Sequence, residues 1–279
     1  HAGGDPGQEP RYLQLLGDGT FANRGQMFGT PYVITYQSRN SISPTGSYVS
    51  DDYFAFLDSE YGEGIGDKMA VGVGRIPCSN PEQADEFVAK VEAYIGADST
   101  AAELCDHGWG SARLGPWRNT VSFVSDDMDG NGGPTETVHM TNSDEHSETI
   151  SDLYNEYDVT KIYLDAYPQL STPGGERYPD AAEAIDRQVR EGALIVNYIG
   201  HGGERGWTHE RVLNTTTIRE WDNLQRMPLF MTATCELARF DDPEVESAGE
   251  MLVMNPDGGA VGMLTTTRVV FSGSNQELN

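Results

Sequence analysis

Cysteine is scarce in this chain: Cys78, Cys105 and Cys235 are the three among 279 residues. None is spaced as C-x-x-C, which argues against a zinc ribbon or a thioredoxin-type redox pair. An odd count leaves at least one thiol free. Cys78 and Cys105 either pair in an oxidising compartment or stand as two structural thiols. Positive charge is scarce too, with 18 Lys and Arg against 44 Asp and Glu and a formal net charge of −26. That balance speaks against nucleic acid and anionic membranes as partners, since both would be repelled. No apolar run is long enough to span a bilayer, and no secretory signal segment is present. The chain also lacks G-x-S-x-G and a P-loop, and Gly200-His-Gly-Gly-Glu-Arg breaks the dinucleotide fingerprint. A serine α/β hydrolase and a nucleotide-binding fold therefore lose support.

What is present is an alternation of strand-like and helix-like segments. His1–Pro10 is rich in Gly and Pro and reads as a disordered lead-in to one domain over 11–279. Strands are expected at Tyr12–Leu16, Tyr32–Tyr36, Lys68–Val73, Asn119–Ser125, Thr160–Leu164 and Gly259–Thr265, with 165–178 a loop. Asn80, Pro81 and Gln83 mark the start of a helix whose Ala84, Phe87, Val88, Val91, Tyr94 and Ile95 share a core-facing stripe. Further helices are expected over 142–157, over Pro179–Glu191 with Gly192 closing it, and near Ser247–Met254. This order predicts an α/β fold with a mostly parallel sheet flanked by helices.

Two further strands carry the chemistry. Ala193–Ile199 is an apolar run that ends on Gly200-His201-Gly202-Gly203, and Pro228–Thr234 ends on Cys235. In open α/β sheets ligands bind at the carboxyl ends of strands, so His201 and Cys235 are placed for a shared cleft. A thiol nucleophile needs a base, and His201 fits that role. The oxyanion of a tetrahedral intermediate needs donors, and the backbone N–H groups of Gly202 and Cys235 are the natural pair.

The residues around these two strand ends extend the pattern. Asn197-Tyr198-Ile199-Gly200-His201-Gly202-Gly203-Glu204-x-Gly206-Trp207 resembles the histidine motif of the gingipain family of cysteine peptidases. Ala233-Thr234-Cys235-Glu236-x-Ala238-Arg239-Phe240-Asp241, followed by Ser247-x-Gly249-Glu250, resembles that family's nucleophile segment. Leu16-Gly17-Asp18-Gly19-Thr20-Phe21, Ser50–Phe54, Val73–Pro77 and Phe240–Pro243 are similar to its type IX secretion sortase branch, over about Tyr12 to Thr267. The resemblance implies a caspase-like three-layer fold and a bacterial cell-surface enzyme with a Cys/His dyad. Its implied substrate is a secreted protein with a C-terminal sorting domain, and its implied acceptor a surface glycolipid. Longer members carry further domains on both sides, so this chain reads as a piece of a longer protein. A homologue that docks sorting domains without catalysis is the alternative, and intact His201 and Cys235 count against it.

Other residues leave alternatives open. The resemblance puts an orienting carboxylate at Ser125-Asp126-Asp127, with Asp127 the first choice and Asp126 the second; two acids capping their own turn is the competing reading. Asp127, Asp129 and Asn131 match the first half of an EF-hand loop, so calcium is an expectation, though Val138 stands where the closing Glu belongs. Otherwise no cofactor is required. Asp127 does not comfortably serve as both metal ligand and orienter. His139 and His146 have no third ligand at metal spacing. Gingipains select a basic side chain with an acid in this neighbourhood, which makes Asp144 the specificity candidate. Trp207 either walls the substrate pocket or packs in the core.

Overall fold

A computed structural model describes residues 10–21, 32–40, 42–57, 67–95, 115–128, 137–271 and 273. Its centre is a five-stranded sheet built from β3 (Thr120–Ser125), β4 (Asp158–Tyr163), β7 (Ile195–Ile199), β11 (Leu229–Ala233) and β12 (Gly262–Leu264). The spatial order is β12-β11-β7-β3-β4, and each neighbouring pair is parallel. The chain runs outward to β4 and then returns past β3 to β7. That reversal falls between β3 and β7, and in such sheets ligands usually bind at the carboxyl ends of the strands where the order reverses.

Alternate side chains of each strand serve opposite faces. Val124, Ile162, Val196, Tyr198 and Phe230 join one core with Ala181, Ala184, Ile185 and Val189 of α3 (Pro179–Glu191), Ile218 of α4 (Thr215–Arg219) and Leu252 of α5 (Ala248–Met254). The other face, with Val121, Phe123, Ile195, Asn197 and Met231, lies beside His146, Thr149 and Ile150 of α2 (Thr137–Leu153). Helices on both faces give the three layers that the alternating pattern requires. A separate parallel pair, β1 (Tyr12–Leu16) and β2 (Gly72–Ile76), precedes α1 (Pro81–Ile95).

Several expectations need correction. Residues 32–36 form no strand; nearby the chain makes an isolated bridge between Gln37 and Val49. The strand expected at Lys68–Val73 forms instead at Gly72–Ile76, pairing with β1. α2 begins at Thr137, not 142, and ends at Leu153, so both His139 and His146 are helical. The loop at 165–178 contains a hairpin, β5 (Leu170–Thr172) with β6 (Gly175–Arg177). On α1, Ala84 and Phe87 pack against Cys78, Val253 and Met254, but Val88 and Ile95 are exposed. The buried residue on that helix is Lys90, whose Nζ donates to the Val253 carbonyl at 2.6 Å. Burial without a carboxylate partner lowers its pKa to about 7. Cys78 is a free buried thiol; Cys105, Asp129, Asn131 and the lead-in up to residue 9 lie outside the described residues.

Candidate active site

β3, β7 and β11 end level with one another. Ser125 and Ala233 both lie opposite Ile199 across the sheet. His201 and Cys235 are each two residues beyond that matched pair, and Asp126 is one residue beyond. Adjacent strands are about 4.8 Å apart, so this register delivers all three to one edge of the sheet.

Local structure then fixes the histidine. Its backbone N–H donates to Asp126 Oδ2 at 2.8 Å, and its carbonyl accepts from the Tyr198 hydroxyl at 2.6 Å. The Thr208 N–H also reaches that carbonyl, at 3.0 Å. After His201 the chain folds into a tight hairpin of β8 (Gly202–Gly203) and β9 (Gly206–Trp207). His201 pairs with Thr208, so the alternation of an antiparallel ladder puts Gly202 at the position without a cross-strand hydrogen bond. Its N–H is therefore left for another acceptor, as an oxyanion donor requires. A Cβ at Gly202 would lie 2.4 Å from Thr234 Oγ1 and 3.0 Å from the Gly206 carbonyl oxygen. The hairpin thus rests directly on the residue before Cys235. Around the ring, His139 approaches edge-on at 5.1 Å between centroids and His209 stacks at 5.9 Å.

The cysteine sits in a turn of unusual backbone. Glu236, directly after it, has φ of 54°, a region costly for a side chain with a Cβ. Cys235 is half-buried, and its thiol donates to the Val270 carbonyl at 3.8 Å. The segment after the last strand runs alongside: Glu236 N donates to Arg268 O at 3.3 Å and Ala238 N to Thr266 O at 3.2 Å. Arg268 anchors this segment through a two-pronged pair with the fully buried Asp241, at 2.8 and 2.5 Å.

The sequence-derived candidates are placed unequally. Asp126 touches the histidine through its main chain, whereas Asp127 accepts from the Tyr178 hydroxyl at 2.7 Å and from Gln169 at 3.5 Å. With Glu210 these two acids form a buried group whose ligand atoms lie within 4.8 Å of one another. Burial, opposed by the His201 N–H and reinforced by Asp127, pushes Asp126 up to about 7. One of the two substrate-contact candidates is corrected. Trp207 is fully buried, stacked on Tyr198 at 4.1 Å, so it supports the motif from within the core rather than walling a pocket. The Asp144 side chain is exposed, paired with Lys161 at 2.5 Å, and also accepts from the Tyr163 hydroxyl. Sequence reasoning gave no role to Tyr198, His209, Glu210 or Val270. Tyr198 stood inside the quoted motif; Val270 acts through its carbonyl and leaves no trace in residue type.

These acids set a pH dependence of stability. A carboxyl whose folded pKa is raised binds its proton more tightly than in the unfolded chain. Its contribution is present below the ordinary carboxylate range and is lost as pH rises through the folded value. Asp126, Asp18 and Glu250 all shift upward through burial. Lys90, shifted downward, works in the opposite sense above about pH 7. The melting temperature should therefore fall by roughly 5 °C or more between pH 5 and 7, then flatten. A calorimetric pH series with a melting temperature that rises over that interval would contradict this.

A thiol and an imidazole at neighbouring strand ends are the groups that cysteine nucleophile chemistry uses. The chain belongs to peptidase family C25, whose model matches residues 2–279. Three solved structures share its caspase-like fold. An Arg-specific cysteine proteinase, gingipain R (RgpB), is 16% identical with a TM-score of 0.61, over 93% of this chain and 49% of its own. The complex of Porphyromonas gingivalis RgpB pro- and mature domains gives 17% and 0.62, over 98% and 53%. A structure described only as a protease gives 19% and 0.61, over 96% and 47%. This chain thus spans about half the length of the solved chains it matches. No curated protein matches it. Among the described residues no helix is long and apolar enough to cross a membrane.

Proposed function

We propose that this chain is the catalytic part of a type IX secretion sortase. In this reading it removes C-terminal sorting domains from secreted proteins and passes the new end to a surface glycolipid. The observation that supports the catalytic reading is the level ending of β7 and β11, from which the segments carrying His201 and Cys235 leave at the same edge of the sheet, with Gly202 close to Thr234. His201 takes the thiol proton, and Cys235 Sγ attacks the peptide carbonyl. The N–H groups of Gly202 and Cys235 receive the oxyanion. The amide then breaks: its nitrogen leaves with a proton from His201, and an acyl thioester remains on Cys235. An amine acceptor resolves that thioester by aminolysis, and water resolves it by hydrolysis. The sortase assignment rests on the motifs at Leu16–Phe21, Ser50–Phe54, Val73–Pro77 and Phe240–Pro243, and the cell-surface location follows from it.

The test is incubation of a sorting-domain substrate with the protein and an amine nucleophile, read by mass spectrometry. The sortase reading expects an amine adduct at the new C-terminus, absent with Cys235→Ala. Hydrolysed product alone would reduce the function to peptidase. Recognition of a folded sorting domain needs an interface of about 1,600 Å² in total. Further domains of the full-length protein would then contribute to it, and processing by this chain alone should be much slower.

Calcium is a second part of the proposal. Asp127, with Asp126 and Glu210 beside it, offers hard oxygen ligands, and Asp129 and Asn131 follow in sequence. Millimolar Ca²⁺ added to chelated protein should raise its melting temperature by mass action. An unchanged melting curve would remove calcium from the account.

A further inference from the structure

The sheet ties the histidine and cysteine segments together only as far as its last rung, where Gly200 N–H donates to the Ala233 carbonyl at 3.3 Å. Beyond it the histidine segment becomes the β8–β9 hairpin, with Glu204 and Arg205 as its two-residue tip. The cysteine segment continues from Cys235 through Leu237 and Ala238 to Arg239. Uncharged contacts span the gap. Gly202 rests against Thr234, and the first turn of α5 reaches both sides. Ala248 N–H donates to the Glu204 carbonyl at 2.7 Å, and Gly249 N–H to the Leu237 carbonyl at 2.8 Å.

A charged contact spans it as well. Arg239 Nη1 donates to Glu204 Oε1, so a side chain of the cysteine segment grips the tip of the histidine hairpin directly. Arg239 Nη2 lies 3.9 Å from Asp242 Oδ2, a looser contact within its own turn. Nε of the same guanidinium is buried and has no hydrogen-bond partner among the described residues. A buried donor without an acceptor is unfavourable, and an arginine under no other constraint would turn that group to water. Glu204 is the contact that holds it in place. The two side chains are 30% and 24% exposed, so water screens the pair and its share of folding stability is small.

We propose that the Glu204–Arg239 pair is a positioning clasp, which holds the hairpin tip to the cysteine segment and so sets His201 and the Gly202 N–H relative to Cys235 Sγ. The inference rests on the Cys/His reading above. Packing alone does not fix the tip: Gly203 has no neighbour within 4 Å of where a Cβ would stand. The other side of the cysteine segment is already held, by the Glu236 and Ala238 N–H groups on the Arg268 and Thr266 carbonyls. The clasp supplies the restraint from the hairpin side.

The test measures kcat and KM on a peptide ester, together with melting temperature, for the full chain, E204A, R239A, the double variant E204A/R239A, R239K and H201A. E204A and R239A should each lower kcat about ten- to a hundredfold, the scale of a reacting group displaced by about an ångström. KM and melting temperature should stay close to wild type. The double variant should lose no more than the worse single one, because the contact is already broken. R239K still pairs with Glu204 and should recover most of kcat. Single variants with wild-type kcat, or losses that multiply in the double variant, would overturn the clasp. So would a loss matched by a fall in melting temperature and not restored by R239K, which would make the pair mere structural support. H201A as active as wild type would instead overturn the Cys/His reading. If H201A is inactive while the clasp variants keep full activity, that reading stands and the clasp alone fails.

Discussion

Replacing His201 by Ala should lower kcat for peptide cleavage by about 10²–10⁴, the usual contribution of a positioned general base. The fold should survive, because the anchors of this residue are in its main chain: the N–H to Asp126 and the carbonyl to Tyr198 and Thr208. An Ala at 201 keeps all three. Circular dichroism and melting of the variant should therefore stay close to wild type while turnover collapses. A variant that loses turnover only by unfolding would show that the ring is structural. His209, stacked on the ring at 5.9 Å, would then merit the same substitution.

Gly202→Ala should be nearly as damaging, although it removes no chemical group. The added methyl would sit 2.4 Å from Thr234 Oγ1, so either the hairpin or the turn leading to Cys235 must move. Either shift takes the Gly202 N–H away from the oxyanion, and loss of one such donor costs about 10²–10³ in kcat. The double variant Gly202→Ala with Thr234→Ala makes room for the methyl and should recover much of the activity. Failure to recover would mean that the clash does not act through Thr234. A fully active single variant would remove Gly202 from the site.

Much of this architecture was legible in residues alone. β7 and β11 announce themselves as continuous apolar runs because both faces of the central sheet are covered. Pro179–Glu191 matches its observed helix because Pro at the start, Gly192 at the end and an inward stripe agree with one another. The misses have physical causes. Tyr32–Tyr36 has strand composition but no partner strand beside it among the described residues, and composition alone does not make a ladder. Asn142, Ser143 and Ser147 are buried on α2, so its inner face is polar and the apolar period that should have marked its start is absent. Trp207 was ambiguous because an aromatic after a glycine suits both a pocket and a core; stacking on Tyr198 decides it.

The central claim is that Cys235 is a nucleophile served by His201. It is met most directly by a peptidyl acyloxymethyl ketone, with the inactivation rate followed and the adduct located by mass spectrometry. Half-exposed Cys235 should carry the label, and buried Cys78 should not. The rate should drop about a hundredfold or more in His201→Ala, in line with loss of the general base. Label elsewhere than Cys235, or equal rates with and without His201, would contradict the account.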